Sequence, residues 1–170
     1  MPDREAIKTA KSQALRYLAY RDRSEKELTL PLEKKGHAPS VIQKALQDLA
    51  NLNYVNDQRF AMEWGRSRVE GKKFGKQRVR QELFPKGGAS HIIETTLDSL
   101  YSSHPERDLA QACANKKLAS LHGLEPEKKM RRLVQYLQRR GFSADIIYET
   151  LRISARELQY DYSPSSLNQD

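Results

Sequence analysis

Two dense runs of lysine and arginine contain the side chains best suited to chemistry in this chain of 170 residues. Bases far outnumber acids in both runs, so each run should carry a strong positive field. Such side chains form charge-assisted hydrogen bonds with phosphate groups and carboxylates. The candidates for binding DNA or an acidic protein surface are Arg66, Arg68, Lys72, Lys73, Lys76, Arg78, Arg80, Lys128, Lys129, Arg131, Arg132, Arg139 and Arg140.

The first run contains a segment, Gly71 to Gly75, in which two glycines enclose two lysines and a phenylalanine. We predict a flexible basic loop between two helices, suited to phosphate contact. Phe74 would either stack on a base or anchor the loop to the core, and the sequence leaves both roles open. A nucleotide-binding loop is not predicted, because the glycines are too close, no Ser or Thr follows the lysine, and no strand precedes the segment.

Histidine and cysteine give no sign of a catalytic or metal site. His37, His91, His104 and His122 lack the spacing of a zinc-binding helix. Cys113, the single cysteine, lies among alanines, which favours a small side chain packed in the core over a nucleophile. We therefore predict no enzyme activity, no cofactor and no metal.

Composition indicates a helical protein whose partner is negatively charged, either nucleic acid or an acidic protein surface. The net charge is +8, and glycine and proline together number 15, few for a turn-rich β-sandwich. The chain has no uninterrupted apolar run of about 18 residues, and residues 1–12 are polar. We expect a soluble cytoplasmic protein without a membrane partner.

One pattern occurs three times, around Gly36, Gly87 and Gly141. Apolar residues stand eight and four positions before each glycine, and others stand six and ten positions after it. A Lys or Arg directly precedes each glycine, as at a helix C-terminus that ends in a left-handed residue. The apolar positions are Leu28, Leu32, Ile42 and Leu46 in the first copy, Val79, Leu83, Ile93 and Leu97 in the second, and Leu133, Leu137, Ile147 and Leu151 in the third.

A further helix is predicted before each pair, over residues 13–21, 57–70 and 106–120. Leu15 and Leu18 should form the apolar face of the first of these helices. Ser24 with Glu27 predicts a capping box, and Asn56 or Asp57 should cap the second. Helix starts are also expected near Ser40, Ser90 and Ser143, whose hydroxyls can accept a hydrogen bond from an unpaired amide.

These patterns predict an all-α fold of three tandem three-helix, helix-turn-helix-like repeats in an elongated, curved arrangement. The expected division is an extension over residues 1–11, repeats over 12–55, 56–103 and 104–156, and a mobile tail over 157–170. Net charges of +3, +3 and +4 over residues 1–56, 57–100 and 101–152 spread the positive charge along the chain.

The central motif resembles that of the RecX family. It runs from Tyr54-Val55-Asn56-Asp57-Gln58-Arg59-Phe60-Ala61 through Arg66-Ser67-Arg68 and Gly75 to Arg78-Val79-Arg80-Gln81-Glu82-Leu83 and Lys86-Gly87. The first repeat is similar to the family's N-terminal block in Leu15, Leu18, Arg21, Ser24, Glu27, Leu28 and Lys35-Gly36. The chain departs from the family pattern at Pro31, Pro85, Gly65 and Gly88, and the prolines should kink or shorten their helices.

The resemblance implies a regulator that lies in the helical groove of the RecA recombinase filament on single-stranded DNA. Such a protein would oppose filament growth, ATP hydrolysis, strand exchange and repressor coprotease activity in DNA repair, recombination and the SOS response. We expect a monomer that binds single-stranded DNA weakly when alone, with duplex DNA as a further partner. The alternative is a free-standing DNA-binding protein that uses its helix pairs as groove readers.

Overall fold

The computed structural model describes residues 3–159, which form α-helices and one 3₁₀ helix, with no strand in that range. The all-α prediction is confirmed. The elements in chain order are α1 (Arg4–Leu18), α2 (Glu25–Lys34), α3 (Pro39–Asn51), α4 (Asp57–Lys72), α5 (Lys76–Leu83), the 3₁₀ helix (Phe84–Lys86), α6 (Ser90–Ser103), α7 (Glu106–Ala119), α8 (Pro126–Arg139) and α9 (Ala144–Glu157). Residues 160–170, most of the expected tail, lie outside the described range.

The described residues divide into two compact units. Unit 1 comprises residues 3–65 and 82–96, and unit 2 comprises residues 66–81 and 97–159. Helices α4, α5 and α6 therefore each contribute residues to both units.

Unit 1 is built around α1, α2 and α3, which pack against one another. Ala14 of α1 lies in a buried cluster, and Tyr17 and Leu18 pack on its edge. Leu15, predicted to face the core, is 37% exposed instead, and α1 begins nine residues before the predicted start. The small side chains of Ala10 and Ala14 allow α1 to approach its neighbours closely, a role that a search for large apolar residues overlooks. The other members of the cluster are Leu28, Leu32, Ile42, Leu46, Leu49 and Val55.

Unit 2 has its own core, in which α7, α8 and α9 pack together. Its buried residues include the apolar positions predicted for the third copy and Val79 and Leu97 of the second. Gly36, Gly87 and Gly141 all have a left-handed backbone, with φ of 84°, 91° and 82°, as the glycine pattern predicted.

The helix starts agree only in part with the predicted caps. Ser143 accepts from the Ile146 amide and Asn56 accepts from the Arg59 amide, as expected. Ser40 and Ser90 instead lie within the first turn of their helices. Helix α3 begins at Pro39, which has no N–H that needs a partner. At the start of α6, the Ile93 amide donates to the Ala89 carbonyl rather than to a serine hydroxyl.

The Ser24 cap is half of a capping box. Its hydroxyl oxygen accepts from the Glu27 amide, but the Glu27 carboxylate bonds to Arg21 and Lys86 rather than to the Ser24 amide.

The two prolines differ in their effect on the helices that contain them or precede them. Pro31 lies within α2, which continues to Lys34, whereas α5 ends at Leu83 and Pro85 stands in the 3₁₀ helix.

Candidate nucleic-acid interface

All thirteen basic candidates belong to unit 2. Residues 66–81 and 97–159 contain 18 Lys and Arg against nine Asp and Glu, a net charge of +9. Residues 3–65 and 82–96 contain 12 against 11, a net charge of +1. The charge is spread evenly along the sequence, but the two units divide it unequally, because the second repeat contributes most of its bases to unit 2.

Two glycines bring the ends of the two basic runs together. The Gly75 amide donates to the Arg140 carbonyl at 2.9 Å, and the Gln77 amide donates to the Gly141 carbonyl at 3.2 Å. A Cβ atom on Gly75 would collide with the backbone of Gly141, and one on Gly141 would collide with the backbone of Arg78. The turn before α5 and the turn after α8 can therefore meet only with glycine at both positions.

The meeting of these turns forms a cavity of about 700 Å³ in unit 2. Five predicted candidates line it, and the other eight lie outside its lining. A sixth cation, Lys116 of α7, was missed by the sequence analysis, as was Tyr136 of α8. Ala112 and Lys116 both line the cavity from one face of α7, but the sequence alone gives no signal that this face meets the basic runs. No Asp or Glu is among the described residues of this lining, which are Gly71, Lys72, Lys73, Phe74, Arg78, Ala112, Cys113, Lys116, Tyr136, Arg139 and Arg140.

Aromatic rings hold several of these cations in place. The Phe74 ring centroid lies 5.8 Å from the Lys72 ammonium and 5.6 Å from each of the Arg78 and Arg140 guanidinium carbons. The Arg140 guanidinium is also 4.9 Å from the Tyr136 ring centroid. Contacts at these distances attract a cation to the face of a ring by about 0.5–2 kcal/mol. Phe74 is half-buried, and it serves to position cations, a role the sequence did not suggest.

The basic loop is shorter and better anchored than predicted. Helix α4 continues to Lys72, so that only residues 73–75 separate it from α5. The Phe74 carbonyl accepts from the Tyr101 hydroxyl at 2.6 Å, and Arg140 donates from its guanidinium to the Lys72 carbonyl. Lys73 has a left-handed backbone with φ of 51°, a conformation that costs about 1 kcal/mol more for lysine than for glycine.

The backbone amides of residues 76–78, at the start of α5, are all hydrogen-bonded within the protein. The Lys76 amide donates to Glu106 at 2.9 Å, and the Gln77 and Arg78 amides donate to the carbonyls of Gly141 and Gly75. An anion in the cavity would consequently be held by side chains, unlike a phosphate in a glycine-rich loop. The C-terminal ends of α4 and α8 contribute about half a negative charge each, far less than the six full positive charges of the lining.

Cys113 lines the cavity but is 3% exposed, and its thiol lies 3.7 Å from the Lys73 carbonyl. Burial raises the pKa of the Cys113 thiol, although Arg140, Tyr136 and Lys73 partly oppose this shift. Burial likewise raises the pKa of the Tyr136 hydroxyl. Both groups are therefore neutral near pH 7, and the core position predicted for Cys113 is confirmed.

The histidines do not converge on a metal site within residues 3–159, where no group of three His, Cys, Asp or Glu side chains could hold an ion. His37 bonds to the Gln13 amide, and His104 contacts the Leu100 carbonyl. Among the same residues, no helix combines the length and hydropathy that a membrane span requires.

Several cations in unit 1 pair with acids, and one of these also contacts a ring. Arg59 contacts Asp22 at 2.7 Å, and Glu27 accepts from both Arg21 and Lys86 at 2.8 Å. The Lys86 ammonium also lies 4.0 Å from the Trp64 ring centroid. The Arg59–Asp22 and Lys86–Glu27 pairs join segments that are distant in sequence, so they tie parts of the unit together.

Comparisons with known proteins agree with this helical architecture. Family models described as the first, second and third three-helix domains of RecX match residues 10–49, 56–97 and 105–151. The chain is 34% identical to regulatory protein RecX of Chlorobaculum tepidum, over 90% of this chain and 96% of the relative. It is 36% identical to regulatory protein RecX of Halorhodospira halophila, over 82% of this chain and 84% of the relative.

A solved structure shows the same fold. The crystal structure of RecX from Lactobacillus salivarius superimposes with a TM-score of 0.79 at 25% identity, covering 88% of this chain and 96% of that one. Since three successive domain models match in order and the relatives align over most of their length, the chain belongs to the RecX family of regulatory proteins.

Proposed function

We propose that this chain regulates RecA recombinase by binding in the groove of the RecA filament on single-stranded DNA, where it lowers ATP hydrolysis, strand exchange and coprotease activity. The observation that carries the proposal is the separation of charge: unit 2 has a net charge of +9 and all thirteen candidate cations, whereas unit 1 has +1. Membership of the RecX family supports a regulatory role, exerted by binding rather than by catalysis.

The basic side chains of unit 2 would contact DNA phosphates or acidic surfaces of RecA protomers. Contacts supplied by α4, α5 and α8 are individually weak, but they act together because one folded unit holds them at a high effective concentration. A bound chain that touches several protomers would oppose the changes that filament growth and ATP turnover require. The protein would act as a cytoplasmic monomer.

The direct test adds the purified protein to RecA filaments assembled on single-stranded DNA and follows DNA-dependent ATP hydrolysis. The rate should fall with added protein and reach a plateau when the filament is saturated. Undiminished hydrolysis at saturating protein, with binding shown by co-sedimentation, would contradict the proposal.

The charge of unit 2 also favours the second candidate, a free-standing DNA-binding protein. That function predicts tight binding to duplex DNA without RecA, with an affinity that falls steeply as salt increases, because each phosphate contact releases a counterion. Filament regulation predicts weak binding to DNA alone and strong binding when RecA is present. Titration of labelled duplex across a salt series, with and without RecA, separates the two.

A further inference from the structure

The cavity of unit 2 has features of a built anion site that a solvated basic surface lacks. Six cationic side chains from three separate segments converge on one concave volume of about 700 Å³, and no carboxylate is among its described lining residues. Bringing like charges together costs free energy in the empty protein, and a bound anion offsets that cost. The fold therefore favours an occupied cavity.

Ring contacts and a hydrogen bond position two of the cations that line the cavity, Arg78 and Arg140. Arg140 is held by the Phe74 and Tyr136 rings and by its hydrogen bond to the Lys72 carbonyl, and Arg78 is held by Phe74. Guanidinium groups in fixed positions bind phosphate oxygens at a smaller entropic cost than mobile lysines do. A ring contact occupies the face of a guanidinium and leaves N–H groups at its edge that can donate to phosphate oxygens.

Lys73 supplies an independent observation. Its left-handed backbone favours glycine, yet the position carries a lysine, and that lysine lines the cavity. The Lys73 amide donates to the Val69 carbonyl, so this left-handed residue ends α4 and turns the chain into the cavity lining.

We infer that this cavity binds a phosphate monoester or polyphosphate, the multiply charged group found on a nucleoside di- or triphosphate and at the phosphorylated end of a DNA strand. Six converging charges match a group with two or more negative charges better than an internal phosphodiester, which carries one. The phosphate oxygens would accept hydrogen bonds from Arg78, Arg139 and Arg140, with Lys72, Lys73 and Lys116 around them. This inference goes beyond filament regulation and concerns the isolated chain, so each can fail while the other stands.

The test uses the full chain without RecA. Isothermal titration with pyrophosphate should show one binding site per chain, and ATP and a short 5′-phosphorylated oligonucleotide are then tried as competitors. Displacement by ATP alone identifies a nucleotide as the natural source, and displacement by the oligonucleotide identifies a strand end. An oligonucleotide of the same sequence with a 5′-hydroxyl should compete at least about tenfold less well, since it lacks the doubly charged group.

Variants locate the binding. Lys116→Gln and Arg139→Gln each remove an exposed cation from the lining and should weaken pyrophosphate binding about tenfold. Lys128→Gln and Arg132→Gln remove exposed cations of α8 outside the lining and should leave the affinity within about twofold, because screening weakens their effect at a distance. Lys73→Gly should weaken binding while leaving the melting temperature unchanged or higher, so lost affinity cannot be attributed to misfolding.

Cys113 offers a readout that does not depend on titration heat. Because this single cysteine is buried in the cavity lining, a maleimide should reach its thiol only when the lining opens, and bound pyrophosphate should slow that reaction further. The absence of both pyrophosphate binding and thiol protection would overturn the inference. Equal weakening by the cavity variants and the α8 controls, or equal competition by the 5′-hydroxyl and 5′-phosphorylated strands, would do the same.

Discussion

Lysine and arginine side chains have different surroundings in units 1 and 2. In unit 1, where charges nearly balance, arginine and lysine bond to acids, as in the Arg59–Asp22 pair and the Arg21–Glu27–Lys86 cluster. In unit 2, with a net charge of +9, the cations of the cavity lie against Phe74 and Tyr136. The acids of unit 1 compensate the charge of their partners within the fold, whereas no Asp or Glu is among the described residues that line the cavity of unit 2. The difference assigns stability to the first set and binding to the second.

Two equivalent glycines should show the largest difference between the units. Gly36 and Gly141 share a left-handed backbone, but a Cβ on Gly36 would meet no atom within 4 Å, whereas one on Gly141 would collide with Arg78. Gly36→Ala should cost about 1 kcal/mol of unfolding free energy from backbone strain alone. Gly141→Ala should cost about 3 kcal/mol, because steric overlap adds to that strain. Urea denaturation of both variants measures the costs, and equal values would mean that the two turns are not packed differently.

The Glu27 cluster predicts a pH dependence confined to unit 1. Burial raises the pKa of the Glu27 carboxyl, but hydrogen bonds from Arg21 and Lys86 outweigh it and hold the pKa below its usual value. The resulting stabilisation is fully present above about pH 4.3, the ordinary pKa of glutamate, and is lost as the pH falls through the lowered value.

Glu27→Gln should therefore destabilise the protein by about 1 kcal/mol at pH 7, and the deficit should be smaller at a pH below the ordinary pKa of glutamate, such as about pH 3. Glu33→Gln, at an exposed position of the same helix, is the matched control and should change stability little at either pH. Denaturation curves at the two pH values check this. A deficit of the same size at both would show that the charge of Glu27 is not what stabilises the cluster.

Lys73 of unit 2 should show the smallest effect, and in the opposite direction. Lys73→Gly removes left-handed strain but adds backbone freedom to the unfolded chain, so stability should stay the same or increase by up to about 1 kcal/mol. Lys44→Gly, in the middle of α3, is the contrasting change in unit 1 and should cost about 1 kcal/mol. Thermal melts of both variants provide the measurement. A clear loss of stability in Lys73→Gly would contradict the assignment of this lysine to binding rather than folding.

Much of the fold follows from the sequence because periodic apolar residues and the three glycines are local signals. The apolar residues four and eight positions before each of Gly36, Gly87 and Gly141, and six and ten positions after it, are buried as predicted. Each of these glycines has a positive φ. Local signals fail where packing decides the outcome. Leu15 fits a helical face but is exposed, because Ala10 and Ala14 form the close contact of α1.

The candidate cavity could be predicted only in part. Both basic runs are visible in the sequence, and five of their members line it. Their meeting depends on the backbone contact of Gly75 with residues 140–142, and periodicity does not reveal such a pairing. In the sequence, Lys116 looks like an ordinary cation in the last turn of a helix. Only the position of α7 in the fold shows that it also lines the cavity.

The most direct test of the functional separation compares two charge-reversed variants in co-sedimentation with RecA filaments on single-stranded DNA. One variant changes Arg66, Arg68, Lys72 and Lys73 of unit 2 to Glu, and the other changes Lys8, Arg16, Lys34 and Lys35 of unit 1 to Glu, so that both lose the same net charge. We expect the unit 2 variant to lose most filament binding and the unit 1 variant, once shown to be folded, to retain it. Equal loss in the two folded variants would mean that filament binding does not depend on the charge of unit 2.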